Sequence, residues 1–147
     1  MPDITVQSNA SDLLFDLPMP LTQAFGLEGL AIGNDQATVR MPYTPAYTNS
    51  RGEVHGGAFS TLLDCTLASA CRAHDPARYG VLTVDLTVHF LATARTAVIA
   101  TATCERRGGS LSFACGQVHD EDGKLLALAT GTFKLVERKP ADSSGQG

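Results

Sequence analysis

One aspartate stands alone in the middle of this chain. From Ala58 to Cys71 every other residue is apolar, small or hydroxylated, and Asp64 carries the only charge. A carboxylate among such neighbours is costly to bury without partners, so it marks a site that either does chemistry or is rescued by solvent or a cation. Arg72 lies two helical turns further on, too far along one helix to meet Asp64 directly. Upstream, Asn49-Ser50-Arg51-Gly52-Glu53-Val54-His55-Gly56-Gly57 leads straight into the same stretch. The first N–H groups of a helix lack internal partners and sit at the positive end of its dipole. Glycines there let an oxygen approach the backbone closely. Such a tip suits polarising a carbonyl and holding the oxyanion formed when it is attacked. The plainer alternative is a tight loop in which His55 and the two glycines serve geometry alone. No metal is expected, because His74, His89 and His119 show no ligand spacing around His55.

The elements that must position these groups are legible from periodicity. Phe59, Leu62, Leu63, Leu67, Ala70 and Cys71 recur at three- and four-residue steps and predict one helix over 58–74. Gly56-Gly57 opens it and Asp75-Pro76 closes it. Short strands are expected at 27–32 and 36–41, joined by a turn at Gly33-Asn34-Asp35, and the Pro- and Gly-bearing stretch 42–57 reads as loop. Four strands follow, over 81–91, 97–106, 111–120 and 125–137, the last two joined at Glu121-Asp122-Gly123. In the first of these, Leu82, Val84, Leu86, Val88 and Phe90 alternate with Thr83, Asp85, Thr87 and His89, so each set is assigned one face. Short strands, one helix, then a run of strands is an α+β pattern with an antiparallel sheet. A helix apolar nearly all round must be covered by that sheet, which curls around it.

Spacing along the helix adds a constraint. Gly56 and Asp64 would stand roughly 12 Å apart at about 1.5 Å per residue, so one carbonyl cannot touch both within one chain. If both act on it, the carboxylate comes from a second copy with its helix antiparallel and close. That implies a homodimer with two shared sites. The small residues Gly57, Thr61 and Ala68 flank Asp64 at helical steps and leave a narrow space there.

Composition sets the bounds. The chain has 147 residues, is 44% hydrophobic and 18% charged, and carries a formal net charge of −4. This is an ordinary globular balance, with no basic excess to draw nucleic acid or an anionic membrane. Residues 1–20 read as an N-terminal arm in which Leu13-Leu14-Phe15 could pack, 21–137 as the domain, and 138–147 as a disordered tail. Cys65, Cys71, Cys104 and Cys115 form no CxxC pair and are read as packing residues. With no apolar leader or membrane span apparent, they favour a reducing cytoplasm.

The ordered run Asn49, His55-Gly56-Gly57 and Asp64 resembles the signature of hotdog-fold acyl-CoA thioesterases of the PaaI (phenylacetate-degradation) type. It is also similar to that of the related 4-hydroxybenzoyl-CoA thioesterases, which carry glutamate at the acid position. The resemblance continues through Thr83-Val84-Asp85-Leu86, Phe90-Leu91, Arg106-Arg107-Gly108-Gly109, Asp122-Gly123-Lys124 and Ala129-Thr130-Gly131-Thr132-Phe133. It implies a hotdog fold, an antiparallel sheet curled around one long central helix, and hydrolysis of an acyl-CoA thioester with no cofactor. By the resemblance, the Gly56 N–H receives the thioester carbonyl, while Asn49 and His55 orient the thioester or help the leaving thiolate. Asp64 of a partner chain activates water or attacks directly, and Thr83 positions the water. Arg106, Arg107, Gly108, Gly109 and Ser110 contact coenzyme A, whose phosphates suit arginines and glycine N–H groups. Shared sites imply a homodimer, with a dimer of dimers as a further expectation. One departure stands out: relatives often place a proline soon after the Phe90-Leu91 position, where this chain has Ala92-Thr93-Ala94-Arg95. Two rival readings are a hotdog enoyl-CoA hydratase and a non-catalytic acyl-CoA binding module, the latter having no need of Asp64.

Overall fold

The computed structural model describes residues 12–139. Most of the expected arm and nearly all of the expected tail lie outside the described residues. What is described runs β1 (Leu13–Leu14), β2 (Leu17–Pro18), α1 (Pro20–Phe25), β3 (Glu28–Gly33), β4 (Gln36–Met41), α2 (Gly56–Cys71), β5 (Tyr79–Phe90), β6 (Val98–Arg107), β7 (Ser112–Asp120) and β8 (Leu125–Glu137). β3 to β8 form one antiparallel sheet in the order β3-β4-β6-β7-β8-β5. The sheet wraps α2, the hotdog arrangement expected from the sequence. Two strands are left at its edges, β3 and β5.

The helix forms where the apolar steps demand it. Phe59, Leu62, Leu63, Leu67 and Ala70 are buried, and α2 packs on β4, β5, β6, β7 and β8. Each large side chain so buried contributes roughly 1.5–3 kcal/mol by leaving water. Its start is two residues earlier than periodicity predicts. His55 stays extended as the cap, and its ring Nδ1 accepts the Gly57 N–H at 2.8 Å. Close packing of helix on sheet needs Gly116 of β7, because a Cβ there would fall 2.7 Å from Leu67 Cδ1 and 2.7 Å from the Thr101 carbonyl oxygen.

β5 does not keep the simple alternation expected of it. Thr83 pairs with Phe133 and Asp85 with Thr132, so Val84 is an extra residue without a rung of its own. Such a bulge slips the side-chain register by one. Before it, Val81 packs on the core and Thr83 reaches the helix; after it, Leu86 and Val88 face inward. The expectation that Leu82 and Val84 share one face with Leu86 and Val88 is therefore corrected, since the first two are more than half exposed while the latter two pack on the core.

The described part of the arm is a tight hairpin. Phe15 and Asp16 both take positive φ at its turn, and Leu14 and Phe15 are buried. The Phe15 ring lies against Gly29 so closely that a Cβ on that glycine would meet it at 2.7 Å. Arg72, at the C-terminal end of α2, holds the hairpin by donating to the carbonyls of Leu14 at 2.9 Å and Phe15 at 3.3 Å. No described helix is long and apolar enough to cross a membrane.

Candidate active site

The hydroxyl and thiol side chains of α2 can be eliminated as nucleophiles in turn. Ser60, Thr61, Thr66 and Ser69 each donate to the carbonyl four residues back, at 3.1, 3.0, 2.7 and 2.7 Å. No histidine accepts from any of them, and the His55 Nδ1 is already occupied by Gly57. Burial, and then the charge of neighbouring Asp64, pushes the Cys65 thiol up to about 12, and burial above all pushes the fully buried Cys71 thiol up as well, so both stay thiols at neutral pH. The Cys115 thiol donates to Glu105 at 2.9 Å, and that hydrogen bond, aided by burial, pushes it up to about 11. All four cysteines are free.

Asp64 remains. It is half-buried, and its Oδ1 accepts the Thr83 hydroxyl at 2.6 Å. No described residue partners its Oδ2. Thr83 reaches this carboxylate only because the bulge at Val84 turns it toward the helix. Asp64 and Arg72 do not meet. Arg72 is buried among backbone carbonyls, including that of Pro76 at 2.8 Å.

At the start of the helix the amides divide the work. The Gly57 N–H is taken by His55, and the N–H groups of Ala58 and Phe59 both donate to the His55 carbonyl. No described acceptor stands against the Gly56 N–H. Phe90, 53% exposed, forms a wall beside it: a Cβ on Gly56 would lie 3.4 Å from the Phe90 ring, which stacks on Phe59 with centroids 6.4 Å apart. Accepting at Nδ1 requires that nitrogen to be bare, so in the neutral His55 ring Nε2 carries the proton and faces outward from the cap. His55 is exposed.

Asn49 is drawn into its own loop. Its Oδ1 accepts the N–H groups of Arg51 at 2.9 Å and Glu53 at 3.1 Å, and its Nδ2 donates to Glu53 Oε1 at 3.3 Å. Sequence reasoning missed Glu53 altogether. Its side chain is 12% exposed and also takes Arg51 Nε at 2.7 Å. Only an isolated glutamate in a loop marks it in the sequence, and that is no signal.

Arg107, Gly108, Gly109 and Ser110 come together with His74, Tyr79 and Lys134 around a cleft of about 320 Å³. Arg106 does not line it, and Arg107 is already paired with Asp35 at 3.2 Å. Burial, then the nearby Arg107 charge, holds His74 below its usual range. A larger groove of about 450 Å³ lies on the outer face of the sheet, lined by His89, Thr101, Gln117 and Leu128 among others. No carboxylate and no residue of α2 lines it, so it is remote from the acid. No group of described residues could hold a metal ion.

Thus the structure joins Asp64 to Thr83 of β5 midway along the helix, and His55 to Gly57 at its tip, as two separate pairs. Known proteins share this frame. The profile of the thioesterase superfamily matches residues 51–127, which span the His55-Gly56-Gly57 tip and Asp64. A Halobacterium salinarum protein, VNG_1336C, provisionally described as an esterase, is 37% identical over 108 residues, covering 66% of this chain and 72% of that protein. Among solved structures, the conserved protein PA5202 of Pseudomonas aeruginosa is similar with a TM-score of 0.73 at 26% identity, over 79% of this chain and 93% of that one. The Escherichia coli PaaI protein from the phenylacetic acid degradation operon has the same fold, with a TM-score of 0.73 at 22% identity over 80% and 84% of the two chains.

Proposed function

Since the chain belongs to the thioesterase superfamily, whose chemistry is thioester hydrolysis, we propose that its substrate is an acyl-CoA thioester and that Asp64 is the general base. The observation that carries this reading is the division of labour on α2. One carboxylate has an oxygen held by Thr83 and an oxygen open, and one glycine N–H at the helix tip has no described acceptor.

The reaction balances with these groups alone. Asp64 Oδ2 takes a proton from water as the water oxygen bonds to the thioester carbon. The carbonyl oxygen becomes an oxyanion facing the Gly56 N–H, at the positive end of the helix dipole. The oxyanion then reforms the carbonyl, the C–S bond breaks, and the CoA thiolate takes the proton from Asp64, which is thereby restored, while the His55 Nε2–H can only hydrogen-bond to the departing sulfur. Thr83 holds the carboxylate in one orientation throughout, and Asn49 keeps the loop closed behind His55.

Because Gly56 and Asp64 are far apart on one helix, the acid acting at each tip comes from a second copy. Two features support a homodimer. The helix face bearing Gly57, Thr61, Asp64 and Ala68 is left incompletely covered by the sheet, and β5 next to it pairs on one side only, with Leu82 and Val84 exposed. An open strand edge with apolar residues is a natural place for another copy to pair. The cleft at Arg107 to Ser110, with Lys134, would take the phosphates of CoA. A cytoplasmic setting, where acyl-CoA is made and used, fits four free cysteines.

Two variants test the shared site. Alone, Asp64→Asn keeps the dimer and loses about 100-fold or more of thiol release from a panel of acyl-CoAs. Gly56→Val, which shadows the N–H while its Cβ meets only the Phe90 ring, is similarly inactive. Chains of the two variants, mixed and reassembled, recover activity through heterodimers having one intact site. Undiminished turnover by Asp64→Asn would end the general-base role. Absence of rescue in verified heterodimers would end the sharing.

A further inference from the structure

The loop that presents Gly56 is fastened by a residue with no part in the chemistry described so far. We propose that Glu53 is a positioning residue for the oxyanion-binding tip: its carboxylate ties the 49–53 loop to the 92–95 segment and so sets the direction of the Gly56 N–H. This rests on the reading of that N–H as the carbonyl's seat.

The geometry is that of a hub. Glu53 Oε1 accepts from Arg51 Nε at 2.7 Å and Asn49 Nδ2 at 3.3 Å, while Arg95 approaches Oε2 at 4.0 Å. Among the ion pairs of described residues its acid is the most sheltered, at 12% exposure, against 67% for Glu137 in the Arg78 pair. Exposed pairs of the latter kind contribute little, because solvent screens them and two long side chains must be ordered. Hydrogen bonding from Arg51, then from Thr93, holds the Glu53 carboxyl below the usual carboxylate range.

Backbone bonds follow the same path. Asn49 N–H donates to the Glu53 carbonyl at 2.7 Å, Val54 N–H to the Ala94 carbonyl at 2.9 Å, and His55 N–H to the Tyr47 carbonyl at 3.0 Å. Tyr43 adds a bond from its hydroxyl to the Gly52 carbonyl at 2.6 Å. Every amide from Glu53 to His55 is thereby fixed, and the next one, Gly56, is left free. The segment 92–95 supplies Thr93, Ala94 and Arg95 to this clamp.

Glu53→Gln tests this, because it keeps the size and an accepting oxygen while removing the charge that gathers Arg51 and Arg95. The expected result is a fall of about tenfold in kcat with KM for an acyl-CoA unchanged, since the phosphate-binding cleft is left intact. Hydrogen exchange in a peptide covering 48–58 should quicken about tenfold, while exchange in 125–137 stays as in the wild type. Arg95→Met should move both readouts the same way by a smaller factor, and Glu53→Asp should restore part of each. Unchanged exchange in 48–58, or exchange rising evenly along the chain as in plain destabilisation, would overturn the assignment. Wild-type protein that hydrolyses no acyl-CoA would instead sink the proposed activity, and the exchange data would still decide Glu53.

Discussion

Two charges sit on one element, Asp64 within α2 and Arg72 at its C-terminal cap, and the structure treats them in opposite ways. Arg72 is 1% exposed and spends its donors on the carbonyls of Leu14, Phe15 and Pro76. Burial, and then neighbouring Arg138, pushes its pKa down to about 10, which still leaves it a cation at neutral pH. Asp64 is half-exposed, with one hydroxyl partner and one open oxygen. A charge saturated by fixed acceptors is a fastening; a charge with one side held and one side open is available to react. The sequence alone marks Asp64 as the anomaly and gives Arg72 no role beyond being too distant to pair with it.

That contrast is broken most severely by removing the fastening. Arg72→Met removes the guanidinium donors from the buried carbonyls of Leu14 and Phe15, leaves that of Pro76 to Arg138 alone, and should cost about 2–4 kcal/mol in urea unfolding. Turnover per folded molecule should survive, because neither Asp64 nor the Gly56 tip touches Arg72. If stability holds and activity drops, the fastening role is misassigned.

Thr83→Val asks the reverse question. Losing a hydrogen bond to a carboxylate at a solvent-facing position should lower kcat about tenfold and leave stability within about 0.5 kcal/mol. Equal losses in both would make the Thr83–Asp64 contact a packing device.

The smallest effect concerns the cleft. Arg107→Ala combined with Lys134→Ala should raise KM for CoA thioesters about fivefold at low salt, and less at high salt where exposed charges are screened. A short thioester lacking the nucleotide should be unaffected. Arg106→Ala, outside the cleft, should do less than the pair; if it does more, the phosphate contacts lie elsewhere.

Much of the frame was readable in advance, because periodicity reports burial and burial is what the core requires. The helix, which ends at Cys71 rather than at the expected 74, the strands after it and the hairpin at Glu121-Asp122-Gly123 all follow from patterns a few residues long. Periodicity places the start of α2 two residues late, since a histidine ring acting as N-cap is outside the usual capping set. Alternation assigns Thr83 the wrong face for a different reason. Alternation counts every residue, and a bulge, which arises from how two distant strands twist together, removes one from the count.

From its own order of residues, then, the chain determines one apolar helix bearing a single acid, a glycine tip before it, and strands enough to enclose it. Those are local consequences of side-chain type and spacing. Tertiary packing alone decided that Val84 drops out of register and delivers Thr83 to Asp64, and that Arg72 is spent on the N-terminal hairpin. It also decided that Glu53 gathers Arg51, Asn49 and the 92–95 segment behind Gly56. Each depends on contacts between residues distant in sequence, whose geometry follows from the closure of the whole sheet around the helix.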